Sequence, residues 1–415
     1  LKRDFSYPRS DAFSFILEPY GDNANGYSFA VNPYGVQREG LIQGGGSQGV
    51  TTAWDNLWYS AVKRYKDKWV VEIAIPFTSL GFNEGLTKWK VNFTRNNLKR
   101  NESSSWASVP RNQNIASLAF CGTLNWDKPI KKTSPKIAVI PYVSGNTNTN
   151  YESKESELGY NAGVDAKIGI GSALQLDLTV NPDFSQVEVD AQVTNLSRFS
   201  IYYPERRNFF IENSDLFSQF GFRNIRPFFS RRIGLQQGSA IPIIAGARLS
   251  GKIGKDWRIG VMNIQTEGKE NIKPQNYSTV AVQRKVLNNS NIGLIAVNRI
   301  EFEDKTPIYS EFNRILGIDF NYASPNNDVL GKVFYHHSFT PNIDYNNYTH
   351  ASFLLFKQPR YSIMWNHEFV GQNYIANFGF IPRQSRTDEF GVVKRNTFWR
   401  LEPQIAYKFY SKTES

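Results

Sequence analysis

Three groups of side chains are of types that do chemistry, and they lie well apart along the chain. The first is aromatic and acidic: Tyr20, Tyr27, Trp54, Trp58, Trp69, Trp89 and Trp106, interleaved with Glu18, Asp22, Asp55 and Glu72. Sugar rings present apolar CH faces that stack on indole and phenol rings, while carboxylates and amides take the hydroxyls. Tyr20, Tyr27, Trp54, Trp58 and Trp106 are therefore the candidates for a glycan platform. The competing reading is structural: strand aromatics such as Trp58 and Trp69 usually pack a core, and Asp22 with Asn23 and Asn25 makes a plain turn. Glu18, Asp22 and Asn25 also carry oxygens of the kind Ca2+ takes, but fewer than the roughly six to eight that such an ion collects. Ca2+ is kept as a weak alternative, and no other cofactor is implied.

The second group is ionic. Asp165, Asp177, Glu188 and Asp190 fall at alternate positions of strand-like segments, and Glu205, Arg206, Arg207, Arg231, Arg232 and Arg248 follow. Carboxylates that face a confined space need cations or water, and guanidinium forks supply bidentate partners. The expectation is that the long connection near 196–235 folds inward as a plug, its arginines opposite the acidic strip. The alternative is that these pairs only stitch the loop to a wall.

The third group is the four histidines, His336, His337, His350 and His367. His336 and His337 are neighbours on a strand and so point to opposite faces. No HExxH or P-loop pattern is present. Glu188 and Asp190 sit ~6–7 Å apart by strand rise, which overlaps glycosidase carboxylate spacing, but alternation by chance explains them equally. No catalytic residue is assigned.

The elements that must position these groups are strands. Residues 173–181 place Leu174, Leu176, Leu178 and Val180 on one face and Gln175, Asp177, Thr179 and Asn181 on the other. Segments 162–170 and 186–194 alternate in the same way. A strand crossing a bilayer at a tilt needs ~9–11 residues, against ~5–6 for an ordinary one. Long strands with an aliphatic face and a charged face predict an outer-membrane barrel with lipid outside and a wet lumen inside. Mean hydropathy is −0.45, and no apolar run approaches the ~18 residues of a membrane helix, so a membrane protein of this composition must be a barrel. Aromatic residues at 14% suit girdles at two interfaces. A large soluble all-β protein has the same composition.

Residues 1–126 have a different texture: short strands at Ala12–Glu18, Gly26–Asn32, Val36–Ile42, Leu57–Tyr65, Trp69–Pro76, Trp89–Arg95 and Ser117–Leu124, joined by turns rich in Asn, Asp, Gly and Pro. Seven such strands predict a β-sandwich. A proline-bounded linker, 127–135, precedes a barrel over 136–415. The fold class is all-β, an N-terminal β-sandwich followed by an antiparallel transmembrane β-barrel, with the long internal loop near 196–235. Net charge is +11, but the cations are scattered, which argues against nucleic acid. The single Cys121 excludes an internal disulfide. Residues 1–15 carry no signal peptide, so an outer-membrane location requires that it lie outside this sequence.

Two sets of residues resemble a known family. Trp54-Asp55-Asn56-Leu57-Trp58 followed by Trp69-Val70-Val71-Glu72-Ile73-Ala74-Ile75-Pro76-Phe77 resembles the carbohydrate-binding-module family nine-like sandwich. Asn181-Pro182-Asp183-Phe184-Ser185-Gln186-Val187-Glu188-Val189-Asp190, and Tyr203-Pro204-Glu205-Arg206-Arg207-Asn208-Phe209-Phe210-Ile211-Glu212-Asn213, look like the signature of a Bacteroidota outer-membrane family. Phe229–Gly234 and Ala245–Gly251 follow the same pattern. That family joins such a sandwich to a barrel domain of unknown function. The resemblance implies the fold and a chain that continues through further barrel strands; it implies no activity. The expected partners are outer-membrane lipid, a glycan ligand and a protein of an outer-membrane complex. The expected function is binding or passing a glycan or other solute, with a structural or assembly role and a barrel-borne glycan hydrolase as alternatives.

Overall fold

The computed structural model describes residues 3–410 apart from 47–48, 53, 132–136, 151–154, 172, 183–202, 204, 223, 237–238, 255, 270, 288, 382–384 and 388–392. In chain order the strands of the first unit are β1 (Ala12–Glu18), β2 (Gly26–Val31), β3 (Gln37–Ile42), β4 (Val50–Thr51), β5 (Tyr59–Arg64), β6 (Trp69–Ala74), β7 (Lys88–Asn97), β8 (Glu102–Ser105) and β9 (Gly122–Asn125). One sheet runs β4-β3-β2-β1-β7-β8, with β9 also on β7, and the β5–β6 hairpin is the second layer. Leu17, Phe29, Val31 and Trp89 project from the sheet, and Trp54, Trp58, Leu80 and Phe82 close over them. Ile16, Ile42, Ala116 and Leu118 form a smaller core on the sheet's other face. The seventh expected strand, Ser117–Leu124, is instead a 3-10 turn, Leu118–Phe120, followed by β9. Leu118 turns into that smaller core, which breaks the alternation a strand needs.

The second unit contains β10 (Ile137–Asn150), β11 (Glu155–Ile170), β12 (Leu174–Val180), the short helices α1 (Asn208–Ile211) and α2 (Asp215–Ser218), the small pair β13 (Leu235–Gln236) and β14 (Ser239–Ala240), and then β15 (Ile243–Ile253), β16 (Trp257–Thr266), β17 (Gln275–Val286), β18 (Ser290–Glu303), β19 (Thr306–Ala323), β20 (Val329–Phe339), β21 (Tyr348–Lys357), β22 (Tyr361–Val370), the small pair β23 (Ser385–Thr387) and β24 (Val393–Arg395), β25 (Phe398–Leu401) and β26 (Gln404–Tyr407). Thirteen strands form one antiparallel sheet, ordered β10-β11-β12-β15-β16-β17-β18-β19-β20-β21-β22-β25, with β26 also on β22. The strand segment after residue 397 is split into β25 and β26 around Pro403, which has no amide hydrogen for the ladder. The expected strand at 185–194 lies outside the described residues.

The two ends of this sheet differ. At one end the chain turns tightly: Ile170 is followed by Leu174, Ile253 by Trp257, Val286 by Ser290 and Lys357 by Tyr361. At the other end lie the connections 181–242 and 371–397. The sheet is strongly curled. Glu212 bonds Lys167 on β11, and Phe222 stacks on Phe353 of β21 at 4.9 Å. Those strands stand eight ladder spacings apart, roughly 38 Å in a flat sheet at ~4.8 Å each. The intervening chain, which includes α2, is too short to cross that distance. The sheet therefore wraps around residues 205–234, an antiparallel transmembrane wall whose two edges, β10 and β25–β26, stay apart among the described residues.

On the outer face Val261, Val280, Leu294, Leu316, Ile318, Val333, Leu354 and Ile363 are exposed. Aromatics flank this band, with Trp257 and Tyr361 at the tight-turn end and Tyr348, Phe369 and Trp399 at the other. The pattern is that of a lipid-facing belt between two girdles. Leu316→Arg should therefore destabilise the folded protein by ~2–4 kcal/mol, read as a shifted denaturant midpoint for refolding into lipid vesicles. A change below 0.5 kcal/mol would place that face in water.

Candidate functional site

Of the aromatic platform expected in the sandwich, three members are interior. Tyr27, Trp54 and Trp58 are 5%, 9% and 3% exposed and pack with Phe29, ring centroids 5.0–6.2 Å apart. Trp89 is buried as well. They cannot offer a face to a sugar, and the alternation of β2 explains why: Tyr27, Phe29 and Val31 share one side of the strand, and that side is the core. Trp106 alone of the set is well exposed, its ring edge-on to Phe93 and lying over Gly122.

Tyr20 is half-buried at the junction with the barrel. Its hydroxyl shares a 2.6 Å hydrogen bond with that of Tyr27, which in turn accepts from the Gly81 amide. Burial, with Tyr27 and nearby carboxylates, holds the Tyr20 phenol well above its usual range. Burial likewise pushes Tyr27 up to about 12.

The weak calcium trio is otherwise engaged. Glu18 Oε1 accepts from the Tyr20 and Asp22 amides, and Asp22 Oδ1 accepts from the Ala24 and Asn25 amides. Asp22 Oδ2 accepts from Asn25 Nδ2 and, at 2.8 Å, from Lys252 Nζ on β15. Burial alone would raise the Asp22 carboxyl, but Lys252 and the turn amides hold it below the usual range. Asp22 is thus an Asx turn locked to the barrel. Among the described residues no group of three His, Cys, Asp or Glu is placed to hold a metal.

The ionic cluster is assembled differently from the expectation. Asp177 is 3% exposed and pairs with Arg248, its register neighbour on β15, at 2.6 Å. Asp165 accepts from Thr179 across the β11–β12 ladder at 2.6 Å. Both carboxylates therefore find partners within the wall. Glu188 and Asp190 lie outside the described residues. Arg207 folds the loop on itself, bonding Glu205 through two nitrogens and the carbonyls of Ser230 and Ile233 at 2.7 Å, with its plane over Phe210. The Arg206 amide donates to Glu205, Arg231 lies in the 3-10 turn Ser230–Arg232, and Arg232 Nε reaches the Gly379 carbonyl at 3.4 Å.

Where loop and wall do meet ionically, the polarity is reversed. Wall cations take loop acceptors: Lys167 with Glu212 at 2.7 Å, Arg258 with Asp215 at 2.6 Å, and Lys332 with the Gln219 carbonyl at 2.6 Å. One wall carboxylate grips the loop, Asp319 Oδ2 accepting from the Gly221 amide at 2.8 Å. Asp319 is itself held by Lys332 and His336. His336 is buried in that arrangement, whereas His337, His350 and His367 lie on the outer face.

The larger departure is that much of the lumen is apolar. Phe210, Leu216, Phe217, Phe220, Ile225, Phe228 and Ile233 of the loop pack with Met262, Ile264, Ala281, Ile295, Val297, Ile315, Phe334 and Ala351 of the wall. The polar lining expected from 162–181 is confined to the sector of β11, β12 and β15, where Asp165, Lys167 and Gln175 stay partly exposed while Asp177, Thr179, Arg248 and Ser250 are buried beneath the loop. From β16 to β21 both faces of the wall carry apolar residues. Two glycines make this fit possible. A Cβ on Gly260 would lie 2.6 Å from the Phe217 ring, and one on Gly293 would lie 2.9 Å from Phe220. Residues 371–381, unnoticed in the sequence, add Tyr374 and Phe378 to the same core and pair by backbone with Arg226 and Phe229. At ~1.5–3 kcal/mol per buried large side chain, the loop's apolar residues contribute on the order of 10–20 kcal/mol to its seating.

Comparison with known proteins follows from this geometry. Residues 133–308 match a family described as a domain of unknown function, DUF5916. Among solved structures the chain is similar to OccK11 (OpdR) of Pseudomonas aeruginosa, at 9% identity over 98% of this chain and 87% of that one, with a TM-score of 0.33. It is also similar to the toluene transporter TodX of Pseudomonas putida, at 9% identity over 96% and 89%, with a TM-score of 0.20. No curated protein matches the chain in sequence.

Two outcomes follow. Asp177→Ala leaves Arg248 buried and unpaired, so it should cost ~3–5 kcal/mol, with Asp177→Ala/Arg248→Met less damaging than the single change. Denaturant unfolding of the three variants checks this. In the sandwich, burial and the Asp55 carboxyl push Glu39 up to about 7. A carboxyl raised on folding contributes stability at low pH that is lost as pH rises through its folded value. Protection of β2 and β3 amides, corrected for intrinsic exchange, should fall as pH rises from the ordinary carboxyl range to about 7, and Glu39→Gln should flatten that fall.

Proposed function

We propose that this chain is an outer-membrane barrel protein that binds or passes a polar solute along the sector of its lumen lined by β11, β12 and β15. The observation that carries this reading is the division of the lumen. One side is an apolar core between loop and wall, while the other carries carboxylate, amide, hydroxyl and cation at Asp165, Gln175, Asp177, Thr179, Lys167 and Arg248, with Asp165, Lys167 and Gln175 the partly exposed members that a solute would meet. A hydroxyl-rich solute such as a glycan matches that lining, since each hydroxyl both donates and accepts. The tight-turn end, the periplasmic end of bacterial barrels, is the end on which the sandwich sits. The resemblance of 54–77 to carbohydrate-binding-module family nine, and of 181–213 to a Bacteroidota outer-membrane family, supports the same assignment. In the sandwich, Trp106 beside Phe93 is the aromatic surface left for a sugar.

A second reading is a structural or assembly component of the outer membrane. The depth of the loop's apolar seating favours it, because a lumen closed by a core needs no traffic. Swelling of proteoliposomes in oligosaccharides of graded size separates the two. Gly260→Val/Gly293→Val fills the sockets of Phe217 and Phe220 and should loosen the plug while sparing the polar sector. Passage by the parent, faster in the double variant, supports solute transfer. No swelling by either protein, with the barrel shown assembled by heat-dependent migration, assigns the structural role.

A further inference from the structure

We propose that the sandwich is the handle of the plug: its docking on the barrel and the plug's seating in the lumen are energetically coupled, so displacing one loosens the other. Three links carry this. The most direct is covalent. Phe210 packs in the lumen core and the very next residue, Ile211, belongs to the core cluster of the sandwich. One peptide bond therefore joins the two cores. The second link is the β15–β16 hairpin, where Lys252 before the turn holds Asp22 of the sandwich at 2.8 Å and Arg258 after it holds Asp215 of the plug at 2.6 Å. The third is the β19–β20 hairpin. Its turn residue Asn327 bonds Gln113 and Ser117 of the sandwich, and its two strands carry Asp319 and Lys332, which take the Gly221 amide and the Gln219 carbonyl of the plug tip.

Each hairpin thus grips the sandwich at its turn and the plug just above it. A rigid hairpin held at one end fixes the side chains at the other, and a shift of the turn moves both. The coupling holds whether or not a solute passes, so its test does not depend on transport.

Ser218, half-buried in α2, is the reporter: Ser218→Cys in a Cys121→Ser background gives one thiol on the plug. Its maleimide labelling rate is read on the full-length protein in detergent micelles. Lys252→Asp and Ile211→Ala should each raise that rate about 5–150-fold, the usual range of coupling between sites. Exchanging the pair, Lys252→Asp with Asp22→Lys, should return the rate towards that of the parent. An unchanged rate in both single variants overturns the proposal. A raised rate that the exchange does not reverse also overturns it, because the effect would then be local to the wall. If Ile211→Ala does not assemble, Ile211→Val keeps most of the contact and should move the rate in the same direction.

Discussion

The seating of Phe217 and Phe220 against Gly260 and Gly293 is the contact on which the rest of the barrel depends. A curled sheet with lipid on its convex side must fill its concave side with water or with side chains. Here glycines open the wall where rings enter, and the chain supplies those rings from the connection between two neighbouring strands. Around them the ion pairs of Lys167 with Glu212 and Arg258 with Asp215, and the hydrogen bond from the Gly221 amide to Asp319, fix the register of a body that apolar packing holds in place.

This arrangement explains why the charges on the wall beside the plug's rings, Arg258, Asp319 and Lys332, are each paired. Where the plug's rings lie, a charge on the wall would be desolvated without a partner, which costs several kcal/mol. The wall there is Met262, Ile264, Ile295, Val297 and Ile315. On β11, β12 and β15, Asp177 pairs with Arg248 and Asp165 accepts from Thr179 along the ladder. The sandwich follows the same logic, since Trp54, Trp58 and Trp89 fill a core and Asp22, facing the barrel, finds Lys252.

The alternation of 162–170 and 173–181 revealed the wall and its sidedness, and the excessive length of the connection near 196–235 revealed that something folds back. What stayed hidden was the filling. The segments Ile259-Gly260-Val261-Met262-Asn263-Ile264 and Ile292-Gly293-Leu294-Ile295-Ala296-Val297 do not alternate. Strands apolar on both faces mark a wall buried on both sides, and their inward glycines mark sockets. The reversed polarity of the loop–wall pairs was not legible, because sequence gives the charges but not which of them meet. The burial of Tyr27, Trp54 and Trp58 needed the parity of β2, which their composition as a sugar-like set obscured.

That β12 pairs with β15 across the intervening segment bears on how the protein is made. The plug is a closed loop between adjacent strands, so joining those strands costs chain entropy that grows only logarithmically with the loop's length. Its rings, however, contact strands as late as β21. A wall that curled before the plug was in place would trap the loop outside, with its phenylalanines in water or lipid. The contacts favour an order in which the later hairpins close around a plug already standing on β12 and β15. The order of biogenesis is thus set by where in the chain the filling is encoded.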